Sequence, residues 1–228
     1  NMNQFIAAWE FALKNFQYLF LLVLPVMASE ILLAYLLIPM NGMTPLDLIE
    51  YLSDNSELSQ SIMLASLVVI FLIVSLKGGI MIAFQAVVSG KGPNPINALY
   101  AGFKKFFPLL GASILSFLLI SLGFILLVLP GFYFMGRLYL FPAYIMLENK
   151  GVMDSLRSSW EATDEYGTKL FFLTFTFFVL TLVAAIPVQS IIFKGNLAAG
   201  IISAGLIEYI ILLPWTYIYF SLYKSLKN

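Results

Sequence analysis

Four ionisable side chains stand inside long apolar runs: Glu30, Lys77, Arg137 and Glu208. A charge near the middle of a bilayer costs about 3 kcal/mol on insertion scales, so each needs a partner, water or a route to the headgroups. Glu30 lies 14 residues past Phe16, Lys77 lies 14 before Lys91, Arg137 lies 13 before Lys150 and Glu208 lies 16 before Lys224. With about 1.5 Å of rise per helical residue, all four fall roughly 20–24 Å above the rim marked by those residues. Two acids and two bases at one depth can neutralise one another, for example Lys77 with Glu30 and Arg137 with Glu208. Facing inward, they would line a polar pocket that takes a ligand. Two other readings stay open. Arg137 is seven residues past Pro130, so its long side chain can reach the outer headgroups instead. The quartet can also be a structural clamp that fixes register and binds nothing.

Little other chemistry is available. The 228 residues include no cysteine and no histidine. That removes disulfides, thiol nucleophiles, the usual zinc sites and imidazole relays. A serine–histidine pair or a histidine-based metalloprotease goes with them. There is no Walker A loop and no dinucleotide-binding glycine pattern. Carboxylates alone remain as acid–base groups, so a non-enzyme without cofactor or metal is expected. The net charge is zero, which gives no case for nucleic acid. The stretch "TPLDLIEYLSDNSEL" (44–58) reads as a short helix capped by Thr44 and opened by Pro45. Its Asp47, Glu50, Asp54 and Glu57 form a solvated acidic face without an EF-hand pattern.

The elements that must position the quartet are membrane spans. Hydrophobic residues make up 61% of the chain and charged ones 11%, against roughly a quarter charged in soluble domains. The mean hydropathy is +0.95. Six apolar segments qualify as spans, at roughly 17–40, 62–89, 108–129, 131–148, 169–187 and 197–222. The fourth carries Arg137 and Pro142 and is expected to turn out of the third at Leu129-Pro130-Gly131. Met2 reads as the start and the first apolar run as a span, not a cleaved leader. With the N-terminus inside, nine bases are cytoplasmic: Lys14, Lys91, Lys104, Lys105, Lys150, Arg157, Lys169, Lys224 and Lys227. Lys194 alone is outside. Both termini are therefore expected to be cytoplasmic.

Segments between the spans repeat. "NQFIAAWEFALKNF" (3–16) sets Ile6, Trp9, Leu13 and Phe16 on one helical face. "NPINALYAGFKKFF" (94–107) repeats the spacing with Ile96, Leu99, Phe103 and Phe106, behind an Asn94 cap and Pro95. "GVMDSLRSSWEATDEYG" (151–167) repeats it with Met153, Leu156, Trp160 and Thr163, and its Arg157 can pair with Asp154 and Glu161. Each leads into a span that ends on a proline: Pro39, Pro130 and Pro187 lie 23, 24 and 24 residues past Phe16, Phe106 and Thr163. The expected fold is one all-α membrane domain over 1–228, with units at about 3–89, 94–148 and 151–222. Each unit is an interfacial helix and two spans, and three parallel units make a pseudo-threefold six-helix bundle. Interfacial helices on the cytoplasmic face would meet membrane lipids and their anionic headgroups. Ordinary soluble linker helices are the alternative for these segments.

Residues 128–163, "VLPGFYFMGRLYLFPAYIMLENKGVMDSLRSSWEAT", resemble the YciC-like family of bacterial inner-membrane proteins. They are also similar to the related membrane domain fused to some glycerophosphodiester phosphodiesterases. The shared pattern falls on Leu129-Pro130-Gly131, Pro142-Ala143, Lys150-Gly151, Ser155-Leu156-Arg157-Ser158-Ser159 and Thr163. "GGIMIAFQAVVSGKGPNPINALYAGFKKFFPLL" (78–110) is similar to the preceding part of that family, whereas Lys77 departs from its usual apolar residue. The resemblance implies a multi-pass protein of the bacterial inner membrane and brings no catalytic residues. Two functions compete: a protein that binds or transports a small molecule or lipid through a polar pocket, and a scaffold or envelope-integrity factor docking another membrane protein.

Overall fold

The structure is a computed structural model describing residues 2–92, 94–188 and 196–227. Among these residues there are helices and turns and no strand. Helices α1 (Met2–Lys14) and α2 (Phe16–Leu37) lead into a 3₁₀ turn over Ile38–Met40. Then come α3 (Pro45–Asp54), α4 (Ser56–Val88), α5 (Pro95–Lys104) and α6 (Phe106–Leu126). The rest is α7 (Val128–Leu138), α8 (Phe141–Glu148), α9 (Val152–Ala162), α10 (Gly167–Pro187) and α11 (Leu197–Ser225). Helices α2, α4, α6, α10 and α11 are long and apolar enough to cross a membrane. Their outward faces expose large apolar residues such as Leu32, Leu67, Phe117, Ile125 and Val183. A solvated monomer rarely carries apolar surface on this scale. These are the features of a helical membrane protein.

Local signals behave as their chemistry requires. Thr44 and Asp47 form a reciprocal capping box at the start of α3, with Pro45 in the first turn. Asn94 accepts from the amides of Ile96 and Asn97 ahead of Pro95 in α5. Arg157 pairs with Glu161 at 2.7 Å on the outer face of α9.

The fourth expected span, 131–148, is not one helix. Residues 131–148 fall in α7 and α8, with Tyr139 and Leu140 as a turn between them. Pro142 has no amide hydrogen to continue the ladder of α7. The Ser159 hydroxyl enters the gap, donating to the Arg137 carbonyl at 2.7 Å and accepting from the Leu140 amide at 3.2 Å. A side chain inserted into the helical ladder is a recognised cause of a sharp bend. The preceding turn also differs from expectation. Leu127 is the extended residue that ends α6, and Leu129-Pro130-Gly131 forms the first turn of α7. The α6–α7 crossing is close, since a Cβ on Gly123 would lie 2.9 Å from the Gly131 Cα. Lys194 and most of the turn after Pro187 lie outside the described residues.

The three short amphipathic helices each bury a stripe of small residues. Ala8 in α1, Ala98 in α5 and Ser155 in α9 are buried, and Gly102 and Ser159 lie one turn further along. Ile6, Ile96 and Met153, with Leu13, Phe103 and Trp160, stay exposed on the other side. Helix α5 packs on α4, α9 on α7 and α8, and α1 on α11. Phe11 stacks on Tyr217 at 3.7 Å between centroids in the last of these contacts.

Candidate functional site

A cavity of about 360 Å³ lies among α2, α4, α6, the α7–α8 joint and α11. Glu30, Lys77 and Glu208 all line it. Each arrives by helical periodicity. On α4, Ile73, Lys77, Ile80 and Met81 face inward together, and on α11 so do Glu208, Leu212, Trp215 and Thr216. The α7–α8 joint contributes Leu138, Tyr139, Phe141 and Pro142, so the break in the helix is part of the cavity wall.

The charges inside are not spent on each other. Among the described residues no ion pair joins Lys77 to Glu30 or Glu208. Lys77 donates to the Ser113 hydroxyl at 3.2 Å and sits 5.9 Å from the centre of the Phe141 ring. Glu30 accepts from the Tyr209 hydroxyl at 2.6 Å. Lys77 and Glu208 both line the cavity and both keep exposed surface. Tyr139 and Thr216 share a hydrogen bond of 2.8 Å, and the Tyr139 ring stacks on Trp215 at 5.0 Å. Sequence reasoning missed these aromatic members. Their signal was the α11 face that carries Glu208 and then Trp215, two turns on.

Arg137 does not join the layer. It is 2% exposed and points away from the cavity, into the C-terminal end of α9. Its Nε donates to Thr163 at 2.9 Å and its Nη1 to the Tyr133 hydroxyl at 2.6 Å. Nη2 donates to the Trp160 carbonyl at 2.5 Å and to the Asp164 carboxylate at 3.0 Å. The guanidinium lies 4.2 Å from the centre of the Trp160 ring. The acid that meets Arg137 is Asp164, which lies outside the layer, and not Glu208. The depth estimate assumed a continuous helix from Arg137 to Lys150. The chain instead bends at Leu140, and α9 folds back along α8 to bring its last carbonyls to the guanidinium. Arg137 caps α9, where a cation meets the negative end of the helix dipole.

A second polar cluster ties the helix ends together. Glu148 pairs with Lys227 at 2.8 Å and Lys150 at 3.2 Å and accepts from the Tyr223 hydroxyl at 2.8 Å. Lys105 donates to the Asn149 side chain nearby. The ends of α5, α8 and α11 thus meet at one end of the bundle. The hydrogen bond to Glu148 pushes the Lys227 ammonium above the usual lysine value. Among the described residues no group of acids is arranged to hold a metal ion.

A family model described as "Domain of unknown function (DUF7847)" matches residues 16–212, a span that holds every charged residue of the cavity. No curated protein and no solved structure matches the chain. By a match over most of its length, the chain belongs to the DUF7847 family.

Proposed function

We propose that this chain is a non-enzymatic, multi-pass protein of a bacterial cytoplasmic membrane that holds a small amphipathic molecule or lipid in its central cavity. The observation that carries the reading is the cavity itself. Three ionisable side chains from three long helices face it with no ion pair among them. Charges kept in a bundle interior without mutual pairing are expensive, and a ligand or water is the usual reason to keep them.

The α7–α8 pair serves as the sixth crossing, and three parallel units close into a ring. Support comes from packing. Each outward helix contacts the return helix of its own unit: α2 with α4, α6 with α7, and α10 with α11. Each return helix also contacts the next outward helix: α4 with α6, α7 with α10, and α11 with α2. The small buried residues of α1, α5 and α9 fall at the offsets that align the three units. Both termini are cytoplasmic in this reading. The cluster of Lys105, Lys150 and Lys227 at one end supports it. The exposed apolar faces of α1, α5 and α9 then lie among lipid headgroups. The likeness to the YciC-like inner-membrane proteins agrees with this placement. Arg137 favours a second reading for one charge, since its bonds are spent within the fold. If the cavity is closed as well, a scaffold that docks another membrane protein becomes the better account.

The absence of cysteine makes the test direct. Single cysteines at Ile120, Met135 and Leu212 line the cavity, whereas Phe117 and Leu118 face outward. An impermeant maleimide applied to cells and to inverted vesicles should label the first set from one side and leave the second unlabelled. No labelling of the first set from either side would remove the ligand-site reading and favour the scaffold.

A further inference from the structure

The charges that line the cavity differ in sign from helix to helix. On the α4 side stands Lys77, steadied by one bond to Ser113 on α6. An ammonium has three N–H donors, so two remain for a ligand. On the α2 and α11 side stand Glu30, oriented by Tyr209, and Glu208. Trp215 lies two turns along from Glu208 on the same cavity-lining face, and Tyr139 stacks against it. Carboxylates beside aromatic rings are the usual surroundings of a bound ammonium. A ligand that is only an anion would meet two like charges, and one that is only a cation would meet Lys77. Like-charge contacts of this kind act as a filter against the wrong ligand. The lining around Lys77, with Ile73, Ile80 and Met81 on α4 and Leu138 on α7, is apolar.

Accepting the cavity as a ligand site, we propose that its ligand is a zwitterion on an apolar tail, with its ammonium against Glu30 and Glu208 and its phosphate or carboxylate against Lys77. Two sources offer this chemistry. One is an ethanolamine phospholipid of the surrounding bilayer, and the other is a zwitterion that arrives from water.

The test uses the full chain purified in a neutral detergent, with the melting temperature as readout. Four probes are compared: lysophosphatidylethanolamine, lysophosphatidylglycerol, dodecylamine and free phosphoethanolamine. The zwitterionic lysolipid should raise the melting temperature in a saturable way. Its apparent Kd should weaken about tenfold, the equivalent of one lost charge contact, in Lys77→Met and in Glu208→Gln. Lys77→Arg should restore it. If Lys77→Met does not fold, Glu208→Gln carries the comparison, because its side chain is exposed. Competition by free phosphoethanolamine points to the water-borne source, and a requirement for the acyl chain points to the bilayer. Tighter or equal binding of lysophosphatidylglycerol or dodecylamine, with the same sensitivity to the variants, overturns the zwitterion and leaves the ligand site standing. A shift that no variant changes, or no shift with any probe, also overturns it. The ligand site falls separately, on a cavity closed to the maleimide.

Discussion

Arg137 divides its guanidinium between a hydroxyl, a phenol, a helix-ending carbonyl and a carboxylate, and each partner depends on it differently. Replacing it with methionine would remove the donor to the buried Thr163 hydroxyl and the shorter of the two hydrogen bonds to the Trp160 carbonyl. We expect Arg137→Met to cost about 3 kcal/mol or more, the range for breaking a buried charged network. Arg137→Lys should recover little of that loss, because one ammonium cannot span partners on three sides. Asp164→Asn should cost less than about 1 kcal/mol, since the Asp164 side chain is 79% exposed and its ion pair is screened. Thermal unfolding of the three variants in detergent would rank them. Equal losses for Arg137→Met and Asp164→Asn would show that the ion pair, not the cap, holds the site. Composition made Arg137 legible as a costly charge that must be satisfied. Its partners were not legible, because they depend on a bend that a count of residues along one helix cannot register.

Gly102 and Ser159 occupy the same position in two of the short helices, and they meet their neighbours in opposite ways. A Cβ on Gly102 would lie 1.8 Å from the Ser75 carbonyl oxygen and 2.8 Å from the Gly79 amide nitrogen. Only glycine fits there, and α4 runs unbroken beneath it. At Ser159 the neighbouring helix is split, and the hydroxyl bonds to both sides of the split. Gly102→Ala should therefore cost about 3 kcal/mol by forcing α5 away from α4. Ser159→Ala should cost about 2 kcal/mol by leaving the buried Leu140 amide and Arg137 carbonyl short of a partner. Chemical denaturation in mixed micelles would check both. A Gly102→Ala protein as stable as the parent would mean that α5 is not seated on α4. The helix starts at Thr44-Pro45 and Asn94-Pro95 were plain in the sequence because capping is local. The apolar stripes of the short helices were also plain. Their buried stripes were overlooked because alanine, glycine and serine carry no hydrophobic signal. Their recurrence at matching offsets was the cue.

On the scale of the whole molecule, polar side chains tie the ends of α5, α8 and α11 together at one end of the bundle. Lys227 pairs with Glu148 across the bundle, and its side chain remains 45% exposed. Lys227→Met should cost less than about 1 kcal/mol, and the cost should shrink in high salt. Because the folded pKa is raised, this contribution is full below the ordinary lysine value of about 10.4 and fades as pH rises through the folded value. Parent and variant should thus differ in melting temperature near pH 8 and converge in strong alkali. Convergence in acid, with the difference kept in alkali, would contradict that assignment. The membrane class and the long helices were legible because apolar length is a one-dimensional property. Glu30, Lys77 and Glu208 line one cavity without the mutual pairing that their common depth suggested, and the departure of Arg137 was not legible in that depth. One mechanical consequence follows from the split helix. Helix α4 is 33 residues long, close to 50 Å of continuous rod, and it forms one side of the cavity. Another part of the lining belongs to an elbow at Tyr139 and Leu140 that the ladder of hydrogen bonds does not stiffen. In a chamber with one rigid wall and one hinged wall, compliance is concentrated at the elbow. A bulkier guest should open the angle between α7 and α8 and leave α4 straight. Spin labels at Phe134 and Leu147 would register that opening as a change in distance, and labels along α4 would stay still.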